Sequence, residues 1–228
     1  MHNLTKTHNT DPSLISLTKT AHDSLVEHQL DQQNAAVYLV LDHSGSMRGY
    51  YRSGAVQRLA EQALGLSANL DDDGTVPLIY FGDTATSAGD LRIGDHAGAI
   101  DRTHTRVRWG STNYAAAIHA VTEQHTASGS TAPALVIFQS DGEPNSRSAA
   151  ADALRYASKL PIFFAFIGFG NRIDFLEKLD DLPGRVVDNA SFFHASDPHA
   201  VADGDLYDEL TAQFATWLTE ARNAGITG

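Results

Sequence analysis

The stretch 36–46, AVYLVLDHSGS, carries the residues with the clearest chemistry. Six apolar residues, Ala36, Val37, Tyr38, Leu39, Val40 and Leu41, run without a polar break into Asp42. That is the pattern of a strand buried on both faces of a parallel sheet, and functional groups in such sheets collect beyond the carboxyl ends of the strands. There the chain sets Asp42, Ser44 and Ser46 at alternate positions, with Gly45 between the serines to let the backbone turn tightly. Three small oxygen-bearing side chains therefore converge on one point. One carboxylate with two hydroxyls suits a hard cation such as Mg²⁺ rather than zinc or copper, and Mn²⁺ or Ca²⁺ can use the same donors. A second apolar run, 134–139 (ALVIFQ), also ends in oxygen, at Ser140 and Asp141 before Gly142. Taken alone, the Asp42 cluster reads equally as a turn or helix cap, which Ser and Asp form routinely.

The elements that must position these residues follow from periodicity. After a polar tail over 1–12, Leu14, Leu17, Ala21 and Leu25 share one face of a short helix ending near residue 30. Residues 1–34 thus read as a tail and lead-in packed on a single domain over 35–228. The polar segment YYRSG leads to a helix over 54–70, with Leu59, Ala63, Leu66 and Leu70 on its apolar face. Asp71, Asp72, Asp73 and Gly74 close that helix as a solvated turn; the alternating twelve-residue spacing of an EF-hand loop is absent. A buried strand over 76–81 follows, with a short edge strand near 91–93 forming a hairpin with it. The loop 103–113 ends in WGSTN, where Ser111 or Thr112 caps an alanine-rich helix over 114–125.

Beyond the strand 134–139, the pattern predicts a helix over 146–159, a strand over 161–168, a short helix near 173–179 and a strand near 185–194. A last helix over 205–224 buries Leu206, Leu210, Phe214, Trp217 and Ala221. Alternating strands and helices at this spacing predict an α/β fold in three layers, α/β/α and Rossmann-like, whose mostly parallel central sheet has one antiparallel edge strand. Right-handed crossovers put the parallel strands' carboxyl ends on one edge. Asp42, the Thr112 loop and Asp141 can therefore meet there.

Composition narrows the function. In 228 residues with 42% hydrophobic content one sizeable core is expected. A formal net charge of -12 argues against nucleic acid or an anionic membrane as a partner. The absence of cysteine excludes disulfides, thiolate metal sites and cysteine nucleophiles. No run approaches the length of a membrane span and the first residues lack a secretory apolar core, so a cytoplasmic location is expected. No P-loop is present, and Gly168 with Gly170 reads as a strand-to-loop turn rather than a dinucleotide fingerprint. Strand alternation points His43 away from the Asp42 cluster, toward the surface. His119 and His125 are six residues apart on one helix, share no face and are expected to face solvent. Trp109, Tyr50 and Tyr51 flank the candidate site as either rim anchors or packing.

With Asp42-His43-Ser44-Gly45-Ser46, then Gly110-Ser111-Thr112, then Ser140-Asp141-Gly142, the chain resembles a von Willebrand factor A-type (vWA) domain carrying a metal-ion-dependent adhesion site (MIDAS). VYLVLDHSGSM, the continuation through LDDDGTVPLIYFG, VVDNASFFHASDP and the LTKTAHDSL lead-in are similar to the bacterial TerF-like group, associated with tellurium-resistance and stress gene clusters. The resemblance spans nearly the whole chain. It implies that Ser44 and Ser46 ligate a metal directly. Thr112 would ligate directly in the partner-bound state and through water otherwise, while Asp42 and Asp141 act through water or as acceptors behind the ligands. One departure is visible: where the group usually has a glycine pair before the threonine, this chain has Gly110-Ser111.

The physics points the same way. A cation held mainly by neutral hydroxyls keeps much of its charge and sheds its waters reluctantly, so an acidic side chain of a partner protein is the natural ligand for its open position. The cation would also offset repulsion between Asp42 and Asp141. These features predict a non-catalytic, metal-dependent protein-binding module, and the resemblance implies a cytoplasmic stress-response or tellurium-resistance complex as its setting. The alternative is a Mg²⁺-dependent phosphohydrolase using Asp42. That chemistry wants a second acidic residue two positions on, where this chain has Ser44.

Overall fold

The computed structural model describes residues 11–71 and 73–228. Residues 1–10 of the tail expected over 1–12, and Asp72 of the expected turn, lie outside the described residues; Asp11 and Pro12 belong to the start of the first helix instead. Asp11 accepts a hydrogen bond from the Ser13 N–H at 2.9 Å and so caps helix α1 (Pro12–Glu27), which opens on a proline whose missing N–H costs nothing there. Leu14, Leu17, Ala21 and Leu25 are all buried, as the spacing predicts.

Strand β1 (Ala36–Asp42) leads through a 3₁₀ turn (Gly45–Met47) into helix α2 (Arg48–Ser53) and then helix α3 (Ala55–Leu70). The YYRSG segment is thus largely helical rather than a polar connector, and Gly54, at φ 83, supplies the left-handed residue that lets two helices abut at an angle. Strands β2 (Thr75–Phe81) and β3 (Ala85–Arg92) form the hairpin, β3 being longer than the segment expected near 91–93. Helix α4 (Ala99–His104), helix α5 (Tyr114–Ser128), strand β4 (Ala134–Ser140), helix α6 (Arg147–Ala157) and strand β5 (Ile162–Phe169) follow. The chain closes with helix α7 (Asp174–Asp180), strand β6 (Ala190–Ala195) and helix α8 (Asp203–Asn223). Strand β6 starts at Ala190 rather than near 185, because the Arg185 guanidinium turns back onto the carbonyls of Leu182 and Asp180 and holds the preceding residues in a loop.

The six strands lie in the order β3-β2-β1-β4-β5-β6; β3 alone is antiparallel to its neighbour. Alternation along β1 builds two cores. Val37, Leu39 and Leu41 pack with α1, α3 and α8, whereas Tyr38 and Val40 pack with α5, α6 and α7. On the first face Leu206, Leu210, Phe214, Trp217 and Ala221 of α8 are buried as predicted. Gly65 lets α3 approach its neighbours: a Cβ there would stand 2.8 Å from the Tyr207 hydroxyl and 3.0 Å from Leu17 Cβ. No helix among the described residues is long and apolar enough to cross a membrane.

His125 departs from its expected exposure. It lies buried at the last turn of α5, edge-on to Tyr38 at 5.8 Å, with the Tyr38 hydroxyl 3.3 Å from its Nδ1, while His119 is exposed. Tyr38, a residue of the central strand, offers a polar partner within the apolar face that local spacing alone does not reveal.

Candidate metal centre

Asp42 ends β1 wholly buried and held on three sides. Its Oδ1 accepts the Ser44 N–H at 2.7 Å, its Oδ2 accepts the Ser140 hydroxyl at 2.6 Å, and its carbonyl accepts the Tyr51 hydroxyl at 2.9 Å. Ser140, the last residue of β4, therefore fixes Asp42 rather than facing outward. Beyond it the oxygens form a chain: Ser44 Oγ lies 3.1 Å from Ser46 Oγ, and the Ser46 hydroxyl donates to Asp141 Oδ1 at 2.8 Å. Adjacent ligands of an octahedral Mg²⁺ bound at 2.0–2.1 Å stand roughly 2.9 Å apart. The spacing and the all-oxygen chemistry of Ser44, Ser46 and Asp141 thus fit such an ion.

Burial pushes the Asp42 carboxyl up to about 6; hydrogen bonds from Ser140 and Ser44 oppose the rise, and the nearby Asp141 adds to it. Burial likewise raises Asp141, against the Ser46 hydrogen bond. A cation bound beside them would favour the ionised form of both carboxyls. Among the described residues no group of three or more His, Asp and Glu side chains is placed to hold a metal ion. A cation at this edge would depend on the hydroxyls.

Thr112 approaches from the segment between α4 and α5. Gly110 forms an isolated parallel bridge with Ser44, its N–H donating to the His43 carbonyl at 3.1 Å. The contact with the end of β2 is so close that a Cβ on Gly110 would sit 2.5 Å from the Asp83 nitrogen. Glycine is required there. The Thr112 N–H donates to Asn145 Oδ1 at 3.0 Å and the Asn145 N–H returns to the Thr112 carbonyl at 2.8 Å. The Thr112 hydroxyl has no hydrogen-bond partner among the described residues. Helix α5 is capped not by Ser111 or Thr112 but by Asn113, whose Oδ1 accepts the Ala116 N–H at 3.1 Å. The two preceding side chains are thereby left for other contacts.

His43 is buried, contrary to the surface position that alternation suggests. It does point away from Asp42, but that side is covered by α2 and the end of α4. Its ring stacks on Trp109 at 3.8 Å and 9°, edges toward Tyr51 at 5.2 Å, and sets Nδ1 3.3 Å from the Arg108 carbonyl. Burial pushes the imidazole down to about 4, so it is neutral at pH 7 and no surface base. The Arg48 guanidinium lies 4.5 Å from the centre of the Trp109 ring. Tyr51 and Trp109 are therefore packing, while Tyr50 lies tilted on Phe169 at 5.3 Å beside the Gly170 turn, where a Cβ would collide with its hydroxyl. Sequence reasoning missed Asp83 and Asn145. The signal available was only their position, just past the carboxyl ends of β2 and β4 on the edge that carries Asp42.

A six-stranded, three-layer α/β/α sheet with these groups at its carboxyl edge is the fold of a von Willebrand factor A-type domain. Two solved structures share it. The von Willebrand factor type A protein of Catenulispora acidiphila has a TM-score of 0.57 and 17% identity, covering 79% of this chain and 42% of that one. The manganese-loaded TRAP protein of Plasmodium vivax has a TM-score of 0.54 and 22% identity, covering 80% of this chain and 74% of that one. At these identities the likeness concerns the fold alone. The chain belongs to the vWA-TerF-like family, described as the vWA domain found in the TerF C terminus, which matches residues 34–227. YcbR of Bacillus subtilis (strain 168), described as uncharacterized, is 34% identical over 208 residues, covering 89% of this chain and 85% of its own.

Proposed function

We propose that the chain is a metal-dependent protein-binding module without catalysis of its own, with Asp42, Ser44, Ser46, Thr112 and Asp141 as its metal site. The observation that carries this is the line of oxygens from Ser44 through Ser46 to Asp141, spaced for a hard cation and backed by a buried Asp42. When bound, such an ion, Mg²⁺ or failing that Mn²⁺ or Ca²⁺, offers an open position to an acidic residue of a partner. The protein's part is to pre-set the donors: Ser140 and the Ser44 amide hold Asp42, and Asn145 holds the Thr112 backbone. Asp42 has both carboxylate oxygens engaged and no exposed surface, which counts against its use as a nucleophile on a phosphate ester. Membership of the vWA-TerF-like family supports a cytoplasmic stress-response or tellurium-resistance complex as the setting. The net charge of -12 supports a protein rather than nucleic acid or membrane as partner. Residues 35–228 form the binding domain in this reading, with 1–34 as its lead-in.

The test is calorimetric titration of metal-stripped protein with Mg²⁺ and Mn²⁺, for the wild type, Asp141→Ala and the Ser44→Ala/Ser46→Ala double variant. Binding by the wild type alone, with all three proteins showing the same far-UV circular dichroism, is expected. Equal affinity in the double variant would refute the ligand assignment.

A further inference from the structure

The two flanks of the candidate site come from different parts of the chain, Thr112 from the segment before α5 and Asp141 from the loop after β4, yet they are not independent. Asn145, in that second loop, engages the Thr112 backbone on both sides, accepting its N–H at 3.0 Å and donating to its carbonyl at 2.8 Å. The Asn145 Nδ2 then donates to Ser111 Oγ at 2.7 Å. The Ser111 hydroxyl passes the connection on, donating to Asp83 Oδ1 at 2.6 Å, and the Ser111 N–H donates to the same oxygen at 2.9 Å. Asn113 closes the arrangement from its other side, its Nδ2 donating to the Asp83 carbonyl at 3.0 Å and its N–H to that of Gly82. The hydroxyl and amide of Ser111 pull the Asp83 carboxyl below its ordinary range, in keeping with an ionised acceptor. Ser111 is in the middle of this set, joined to Asp83 on one side and to Asn145 on the other. A glycine at that position, the residue usual in the group the chain resembles, would break the line between Asp83 and Asn145.

We propose that Asn145, Ser111 and Asp83 form a brace that ties the Thr112 segment to the Asp141 loop and to the end of β2, so that the two flanks of the site move as one body and the Thr112 hydroxyl is held ready for the metal. Asn145 and Ser111 are positioning residues, acting through Thr112. The proposal deepens the metal-site reading and rests on it for its effect on affinity, but the mechanical tie is testable without a metal. Polar partners that orient ligands typically change metal affinity by about 10–100-fold when removed.

Two measurements on the full chain decide it. The first is amide hydrogen exchange by NMR on metal-free protein. The Thr112 amide is expected to exchange about tenfold faster in Asn145→Ala, and faster, though by less, in Ser111→Ala, with the amides of β1 unchanged. Ser111→Ala keeps the measurement informative even if Asn145→Ala folds poorly. An unchanged Thr112 amide in both variants overturns the brace. The second is Mn²⁺ affinity in a double-mutant cycle with Thr112→Val. Asn145→Ala is expected to weaken binding about tenfold in the wild type and hardly at all beside Thr112→Val, because its effect runs through the missing hydroxyl. The same loss in both backgrounds would show a general structural effect and overturn the positioning role. If the wild type takes up no Mn²⁺, the metal-site reading fails, and the exchange measurement alone judges the tie.

Discussion

Trp109→Ala tests whether the aromatic block under the Asp42 loop is packing, as its geometry says, or an exposed anchor for a partner. The indole stacks on His43 at 3.8 Å and meets the edge of Tyr51 at 5.3 Å. Aromatic pairs contribute about 0.5–1.5 kcal/mol each beyond their buried area, so these two contribute about 1–3 kcal/mol. Arg48, 4.5 Å from the ring centre, adds about 0.5–1 kcal/mol at an exposed position. The half-buried ring also removes apolar area from water, about 1–2 kcal/mol for its covered part. These terms overlap, since the loop can partly collapse, and a net loss of about 3 kcal/mol is expected, at the low end for Trp→Ala. In a chain of this size that corresponds to a drop in Tm of roughly 6–12 °C. Thermal unfolding by circular dichroism reads it directly, and Trp109→Phe should recover part of the loss by restoring a stacking surface for His43. A fall of less than about 2 °C in Trp109→Ala, with partner capture abolished, would refute the packing argument and return Trp109 to the surface as a contact residue.

Gly110→Ala should destabilise by about 1–3 kcal/mol in urea titration and weaken Mn²⁺ uptake, because its Cβ would meet the Asp83 nitrogen at 2.5 Å with only backbone to yield. Gly65→Ala should loosen α1, whose Leu17 Cβ would lie 3.0 Å from the added methyl; faster cleavage around residues 28–34 in limited proteolysis would show it, and an unchanged digest would contradict the close approach. Burial pushes the Asp180 carboxyl up to about 6, with Asp188 and Asp181 reinforcing the shift, and it sits at the unfavourable C-terminal end of α7. A folded-state value above the unfolded one means that ionisation costs stability: the cost is absent below about pH 4 and complete once the pH has risen through 6. Asp180→Asn should therefore raise Tm at pH 7.5, by about 1–2 kcal/mol of stability after allowance for solvent screening, and give no gain at pH 4.

The strands that carry the site were the most legible part of the chain. The unbroken apolar runs of β1, β4 and β5 read directly as buried strands, and the close spacing of Ser44 and Ser46 keeps their hydroxyls 3.1 Å apart through the 3₁₀ turn that follows β1. What escaped was decided by distant partners. His43 obeys strand alternation, yet α2 and Trp109 cover the side it points to. His125 looks like one more polar residue of α5 until Tyr38, 87 positions earlier, is seen beneath it. The α5 cap fell to Asn113 because Ser111 is drawn off by Asp83 and the Thr112 backbone by Asn145. Asp83 and Asn145 belong to no short motif, and only the sheet order brings them to the same edge. Strand β6 began late for a local reason, since Arg185 turns its guanidinium back onto carbonyls of the preceding loop.

The position of β1 at the middle of the sheet has a consequence in time. It is the first strand to be synthesised, but its neighbours are β2 and β4. Ser46 and Asp141, which meet across the site, are 95 residues apart. At ribosomal speeds of about 5–20 residues per second, the DHSGS loop waits roughly 5–20 seconds for the aspartate that completes its oxygen set. The apolar run before it gains β2 on one side within that interval and waits for β4 on the other. A cation arriving before Thr112 and Asp141 are made would find only Asp42, Ser44 and Ser46 of the five proposed groups. Such a late-assembled centre acts on the lifetime of the finished protein rather than on how quickly it is made: bound metal should slow unfolding while leaving the folding rate nearly untouched.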